Sequence, residues 1–142
     1  MPVGRVRALD VIIQSMKFGA AEVARAKTLR AVGFPWRPRV GDWYVDHRGY
    51  CGLVRTHEES QTIAHSVAVQ DSGHSFLPSW DDCREWLSVR GWGRPEIFDE
   101  AKGQIRMLVT HEDGRVMRAT GDSDLDCLYR LILLLLLNGV SE

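Results

Sequence analysis

The stretch LYRLILLLLLNG, residues 128–139, places seven apolar residues in a row between Arg130 and Asn138 of a 142-residue chain. A helix that crosses a membrane needs about 20 apolar residues. The run is too short to be a membrane anchor, so we expect no contact with a membrane. We expect instead the second half of a helix that is apolar on all sides and must be covered by its own chain or by another.

The start of this helix is predicted from its polar residues. Asp122 or Ser123 is the expected N-cap, and Asp124 and Asp126 oppose the helix dipole in the first turn. Asp126 and Arg130 stand four residues apart and therefore share one stripe of the helix surface. At about 100° per residue, that stripe continues through leucines rather than polar residues.

The leucines that continue the stripe, Leu133, Leu134 and Leu137, form a predicted interface. A homodimer in which two such helices pair about a two-fold axis would cover them on both chains at once. The alternative is that the N-terminal helix covers them within the same chain, through Ile12, Ile13, Met16 and Val23.

Length and composition indicate a globular protein of one domain or two small ones, with 44% hydrophobic and 26% charged residues. The three cysteines are odd in number and form no CxxC pair, so they predict neither a disulfide framework nor a zinc knuckle. Asp10 interrupts the apolar segment LDVII, which excludes a secretory signal. We expect a cytoplasmic protein without cofactors.

The first third of the chain has the pattern of a long N-terminal helix. Apolar residues recur every three or four positions from Leu9 to Val32, with a weak point at Gly19 and a stop signal at Gly33. The two prolines of FPWRPRVGD (34–42) then exclude helix. The first predicted segment is therefore 1–33.

A period of two marks a small antiparallel β unit at 34–78. DWYVD (42–46) and YCGLVR (50–55) are predicted to form a hairpin, in which Gly49 supplies the turn geometry. QTIAHSVAVQ (61–70) is a predicted third strand.

The remainder, 79–142, is predicted to be a helix, a β-hairpin and a helix. Ser79 is an N-cap with Asp82 three residues later, and Gly91 follows as a left-handed stop. Asp113-Gly114 favours a type I′ turn between two strands. The predicted fold class is α+β: a long N-terminal helix, a small antiparallel β unit, and a helix-β hairpin-helix sandwich.

Residues 79–138 resemble the phage alpha-beta-alpha sandwich domains encoded by bacteriophages and prophages. The resemblance lies in PSWDDCREWL (78–87) followed by RGW (90–92), in RVMRAT (115–120), and in DSDLDCLYRLILLLL (122–136). It implies a fold and a phage or mobile-element origin, but no reaction and no functional residue.

Charge is unevenly spread, and this permits a nucleic-acid hypothesis. Residues 1–39 carry eight Arg or Lys against two acids, whereas the rest carries ten against seventeen. The asymmetry is compatible with a basic surface for nucleic acid, or with docking of the front on the acidic back of the same chain.

The stretch FPWRPRVGDWYVDHRGY (34–50) interleaves aromatic side chains with arginines. Such a mixture suits single-stranded nucleic acid, because bases stack on the rings. The candidate binding residues are Trp36, Arg37, Arg39, Trp43 and Arg48. The competing interpretation is that the two tryptophans attach the linker to the core, which a period of two favours because it sends neighbouring rings to opposite faces.

Signatures of catalysis are missing from the sequence: it contains neither a phosphate-binding GxGxxG or Walker loop nor GxSxG. Cys51 beside His47 or His57 matches no cysteine-nucleophile pattern. His65 is expected to point inward from the predicted third strand as a structural histidine. A metal-dependent hydrolase using His47, His57 and Asp46 is a further alternative, but no ligand spacing predicts a metal site.

The leading hypothesis from the sequence is therefore a non-enzymatic accessory protein of the phage or mobile-element type, which acts by binding a macromolecule. Nucleic-acid binding by the basic front and the aromatic hairpin is the first alternative, and the small hydrolase is the second.

Overall fold

The computed structural model of the protein describes residues 18–68, 73–101 and 103–138. Along these residues run four helices and two three-stranded antiparallel sheets, which confirms the α+β class. In chain order, the elements are α1 (Ala20–Ala31), β1 (Trp43–Val45), β2 (Cys51–Leu53), α2 (His57–Ala68), β3 (Ser75–Leu77), α3 (Trp80–Val89), β4 (Glu96–Ala101), β5 (Gln104–Thr110), β6 (Val116–Gly121) and α4 (Asp124–Leu137).

Helix α1 begins at Ala20, and the N-cap is Gly19 in an extended conformation. The prediction of one helix running through Gly19 is therefore wrong at this residue. Glycine loses more conformational entropy in a helix than other residues do, and here its N–H donates to the Glu22 carboxylate instead. The predicted helical residues 9–17 lie outside the described residues. The helix ends before Gly33, as predicted.

The first sheet has the order β2-β1-β3. The predicted hairpin of β1 and β2 is confirmed. Its turn is closed by the N–H of Gly49, which donates to the carbonyl of Asp46, and Gly49 has a φ of 89°. The third strand is β3, where Phe76 pairs with Tyr44 of β1.

The predicted third strand at 61–70 is wrong, because residues 57–68 form helix α2. The hydroxyl of Thr56 accepts the N–H of Glu59 and so caps this helix. Glu58 and Glu59 add favourable charge in its first turn. These cap residues precede the alternating stretch, so a periodicity read from residue 61 onward does not include them.

Helix α3 follows the predicted cap. The Ser79 hydroxyl accepts the N–H of Asp82, and the Asp82 carboxylate accepts the N–H of Ser79. Gly91 has a φ of 89° and ends the helix as predicted.

The second sheet has the order β4-β5-β6 and longer strands than the first. Strands β5 and β6 confirm the predicted hairpin, whereas β4 was not predicted. The turn lies one residue earlier than a type I′ turn about Asp113-Gly114 would, since the N–H of Gly114 donates to the carbonyl of His111. Gly114 is thus the last turn residue, with a φ of 97°. This matches a three-residue loop, in which a type I turn precedes a left-handed residue.

Helix α4 lies between two layers of the protein. Strands β5 and β6 contact it on one side, and helices α1 and α3 contact it elsewhere on its surface. Its N-cap is Ser123, which accepts the N–H of Asp126. Its buried residues are Asp126, Cys127, Leu128, Tyr129, Leu131, Ile132 and Leu135. Because several elements surround it, a helix that is apolar on nearly all sides is accommodated within one chain.

The leucine stripe is only partly covered. Leu134 and Leu137 expose 42% and 62% of their surface, and Leu133 is half-buried. Leu134 and Leu137 are therefore exposed although α4 packs against both strands and helices of the same chain. No helix among the described residues is long and apolar enough to cross a membrane.

Candidate functional site

A cavity of about 490 Å³ opens between the linker that follows α1 and helix α3. We call it the aromatic cleft. Its walls include the rings of Phe34, Trp36, Phe76 and Trp86. Trp36 stacks on Phe76 with the ring centroids 5.1 Å apart and the planes 2° from parallel. Phe34 stacks on the same Phe76 ring at 6.2 Å, so three rings stand together.

The polar rim of the aromatic cleft is held by hydrogen bonds. The indole N–H of Trp36 donates to Asp42 Oδ2 over 3.1 Å, and the backbone N–H of Arg39 donates to the same oxygen over 2.9 Å. The Arg39 guanidinium lies 3.4 Å from Asp82 Oδ1 at the start of α3. These contacts tie the linker to α3 and set the position of the Trp36 ring.

The face of Trp86 is covered from within the protein. The guanidinium carbon of Arg90 lies 3.8 Å from the ring centroid, which is a cation–π contact. Trp86 is therefore part of the wall, whereas Trp36, which is half-buried, faces the cavity.

A second cavity, of about 760 Å³, lies between α1 and the first hairpin. We call it the basic cleft. Lys27 and Arg30 enter it from α1, and His47 enters it from the hairpin turn. Gly73 packs so closely on His47 that a Cβ atom at position 73 would lie 2.2 Å from the His47 Cβ. Position 73 therefore requires glycine, because a larger residue would collide with His47 of the hairpin turn.

The two clefts adjoin each other. A small cavity of about 60 Å³ shares Phe34, Trp36 and Phe76 with the aromatic cleft, and it shares Arg30 and Phe34 with the basic cleft. We call the three together the groove. Burial lowers the pKa of His74 in the small cavity, so its ring adds no charge at neutral pH.

The walls of the groove carry an excess of positive charge, with five Lys or Arg side chains against three carboxylates. The basic residues are Lys27, Arg30, Arg37, Arg39 and Arg90, and the acids are Asp42, Asp82 and Glu85. The whole chain has a net charge of −1. The groove thus differs in sign from the protein as a whole.

Three of the five predicted binding residues, Trp36, Arg37 and Arg39, line the aromatic cleft. Trp43 lies elsewhere. It pairs with Leu77, the neighbour of Phe76, and so belongs to the opposite face of the sheet, where it packs against Phe18. Arg48 lies on the turn beside His47 and is 3.7 Å from Asp46.

Sequence reasoning missed Phe76, Trp86, Lys27 and Arg30 as groove residues. Lys27 and Arg30 are three residues apart and therefore lie on one side of a helix, which was a readable signal. Phe76 was not identified because no strand was predicted over residues 75–77, where β3 lies.

The thiols are poor candidates for nucleophiles. Burial raises the pKa of Cys51, raises that of Cys83 well above its usual range, and raises that of Cys127 to about 11. Only the thiolate is a good nucleophile. All three cysteines are free.

The histidines of the hydrolase alternative are at the surface. His57 lies at the start of α2, with its Nε2 3.1 Å from the Gln61 amide. The expectation for His65 is wrong, because this residue lies on α2 and is exposed. Within 18–68, 73–101 and 103–138, no three His, Cys, Asp or Glu side chains come together in a way that could hold a metal ion.

The predicted leucine interface borders a separate cavity of about 360 Å³. Arg25 of α1 and Arg130 of α4 also line it. Their Nε atoms lie 3.5 Å and 3.3 Å from the fully buried carboxylate of Asp126. The predicted Asp126–Arg130 stripe is therefore a buried carboxylate shared by two guanidinium groups.

Comparison with protein-family models, with curated proteins and with solved structures found no match. The resemblance of residues 79–138 to phage sandwich domains stays a prediction.

Proposed function

We propose that the protein is a non-enzymatic accessory protein of the phage or mobile-element type, which binds another macromolecule in the cytoplasm through the groove. The observation that carries this proposal is the set of adjoining cavities around Phe34. An extended partner segment can lie along adjoining cavities, whereas a small substrate needs a single enclosed site with convergent polar groups.

The chemistry of the groove also supports binding rather than reaction. In the aromatic cleft, Arg39 is engaged with the carboxylates of Asp42 and Asp82. The described thiols are held in the protonated form at neutral pH.

Site-specific photo-crosslinking tests the proposal. A photoreactive phenylalanine analogue placed at Val89, which lines the aromatic cleft and is 77% exposed, should join the protein to a partner in cells that carry its gene. The same analogue at Val116, which is 44% exposed on β6, is the matched control. The Val89 adduct should disappear when Trp36→Leu is added.

Two results would contradict this proposal. One is equal crosslinking from Val89 and Val116, which would indicate random collisions. The other is a lack of adducts from Val89 in cells where the protein is expressed.

We also propose that Leu134 and Leu137 are covered in a homodimer about a two-fold axis. The supporting observation is that two large apolar side chains stand exposed beside each other on α4. Light scattering should show a dimer that becomes a folded monomer on Leu137→Glu. A wild-type protein that is already monomeric would defeat the dimer.

A further inference from the structure

We infer that the partner of the groove is a single strand of nucleic acid, whose phosphates lie in the basic cleft and whose bases stack on the rings of the aromatic cleft. This inference rests on the function proposed above and names the class of macromolecule that the same groove would hold.

The first argument is electrostatic complementarity. Lys27 and Arg30 stand together in the basic cleft, and Asp46 Oδ1 in the hairpin turn accepts the backbone N–H groups of Arg48 and Tyr50. Within the described part of the chain, no carboxylate lines the basic cleft, so its two cations suit phosphate groups, which are the main source of nucleic-acid affinity.

The second argument is the arrangement of the rings. Trp36, Phe76 and Phe34 form one stacked set, with centroid distances of 5.1 Å and 6.2 Å. Aromatic rings beside guanidinium groups are the usual platform for unpaired bases. An acidic peptide would satisfy the basic cleft but would have no comparable use for the stacked rings.

The third argument selects a single strand over a duplex. The rings line cavities rather than a protruding surface, and Trp36 is half-buried. A paired base must be unpaired and unstacked, at a cost of a few kcal/mol, to reach such rings, whereas a base of a single strand avoids most of this cost.

The test measures fluorescence anisotropy of a labelled thymidine strand of about 12 nucleotides, a length in the range of known single-strand sites. We expect binding at low salt that weakens steeply as salt is added. A uridine strand of the same length distinguishes RNA from DNA, and either one binding supports the inference. A duplex of the same length should bind more weakly.

The charge variant is Lys27→Gln with Arg30→Gln. The matched control is Arg118→Gln on β6 with Arg115→Gln in the turn before it, where both arginines are exposed. Each phosphate contact in a single strand contributes about 0.7 to the slope of log affinity against log salt. When salt rises from about 50 mM to about 200 mM, the affinity of wild type should therefore fall by a factor about seven times larger than that of the charge variant. The control should keep the wild-type slope.

The ring variants separate stacking from folding. Trp36→Leu should lower the affinity roughly tenfold or more, whereas Trp36→Phe, which also loses the hydrogen bond to Asp42, should keep most of it. Circular dichroism and thermal melting check that each variant is folded.

Three results would overturn the inference: a duplex that binds as tightly as the single strand, polyglutamate that competes as well as an oligonucleotide of equal charge, or a lack of oligonucleotide binding at low salt. If oligonucleotides do not bind while Val89 still crosslinks to a protein in a Trp36-dependent manner, the nucleic-acid inference fails and the proposed binding function stands. If both experiments fail, the proposed binding function and the nucleic-acid inference are both wrong.

Discussion

The two sheets contain the same kind of hairpin turn but differ in the length of their strands. Each contains a hairpin whose turn ends on a glycine with positive φ, Gly49 in the first sheet and Gly114 in the second. The strands of the first sheet are three residues long, whereas those of the second are six or seven. The first sheet contributes side chains to the groove, and the second lies against α4.

The difference indicates that the first sheet serves binding and the second serves stability. A short sheet with few ladder hydrogen bonds depends on its neighbours for order, and a surface so built can be altered without removing the largest part of the core. The second sheet and α4 bury the longer apolar run and should carry most of the folding free energy.

The largest expected effect is on the α4 side of this comparison. Leu131→Ala removes a fully buried side chain and should lower the free energy of unfolding by about 2–5 kcal/mol. Leu137→Ala, on the exposed face of the same helix, should change it by less than about 0.5 kcal/mol in the monomer. Urea denaturation measures both. Equal losses would show that the exposed face is buried in solution.

A matched pair of valines compares the sheets directly. Val109 of β5 and Val45 of β1 are both fully buried. Val109→Ala should lower the free energy of unfolding by about 2 kcal/mol, from the lost methyl groups and the cavity they leave. Val45→Ala should cost less, because three-residue strands can shift to fill the space. A larger cost for Val45→Ala would reverse the assignment of stability to the second sheet.

The smallest effect is confined to alkaline pH and concerns the contact of α4 with the second sheet. The Cys127 thiol donates to the Ile105 carbonyl, and burial raises its pKa from 9.0 to about 11. Because the folded-state pKa is the higher one, the contribution of this thiol to stability should be constant below about pH 9 and should decrease between pH 9 and about 11. Denaturation at a series of pH values measures this decrease.

Cys127→Ala is the control for the alkaline effect and should make the decrease shallower. A part should persist, since burial raises the pKa values of Cys83 and Tyr129 as well. A pH dependence that is identical in the variant would show that Cys127 does not contribute.

Local chemistry made much of residues 79–142 predictable from sequence. Ser79 with Asp82 and Ser123 with Asp126 are pairs whose hydrogen bonds form within one turn, so no tertiary information is needed to recognise them. Strands β3 and β4 were missed because their residues become strands by pairing with β1 and β5, which are other segments of the chain.

The groove was predictable only in part for the same reason. Trp36, Arg37 and Arg39 lie close in sequence and stay together in the structure. Phe76 reaches the Trp36 ring because β3, which carries it, pairs with β1. Lys27 on α1 and His47 in the hairpin turn line the same cavity although they are distant in sequence. A linear stretch cannot show such neighbours, and it placed Trp43 with the site although the alternation of the strand turns it away.

The bond from the Ser123 hydroxyl to the Glu22 carboxylate joins residues 101 positions apart, and Arg25 meets Asp126 beside it. During translation, helix α1 leaves the ribosome long before the helix that holds these partners has been made. Domains fold as units once their contacts are available, so the Glu22 face of α1 must remain exposed until α4 emerges. A nascent chain that stops before residue 122 would therefore present that face to chaperones or proteases, and synthesis of α4 is the event that hides it.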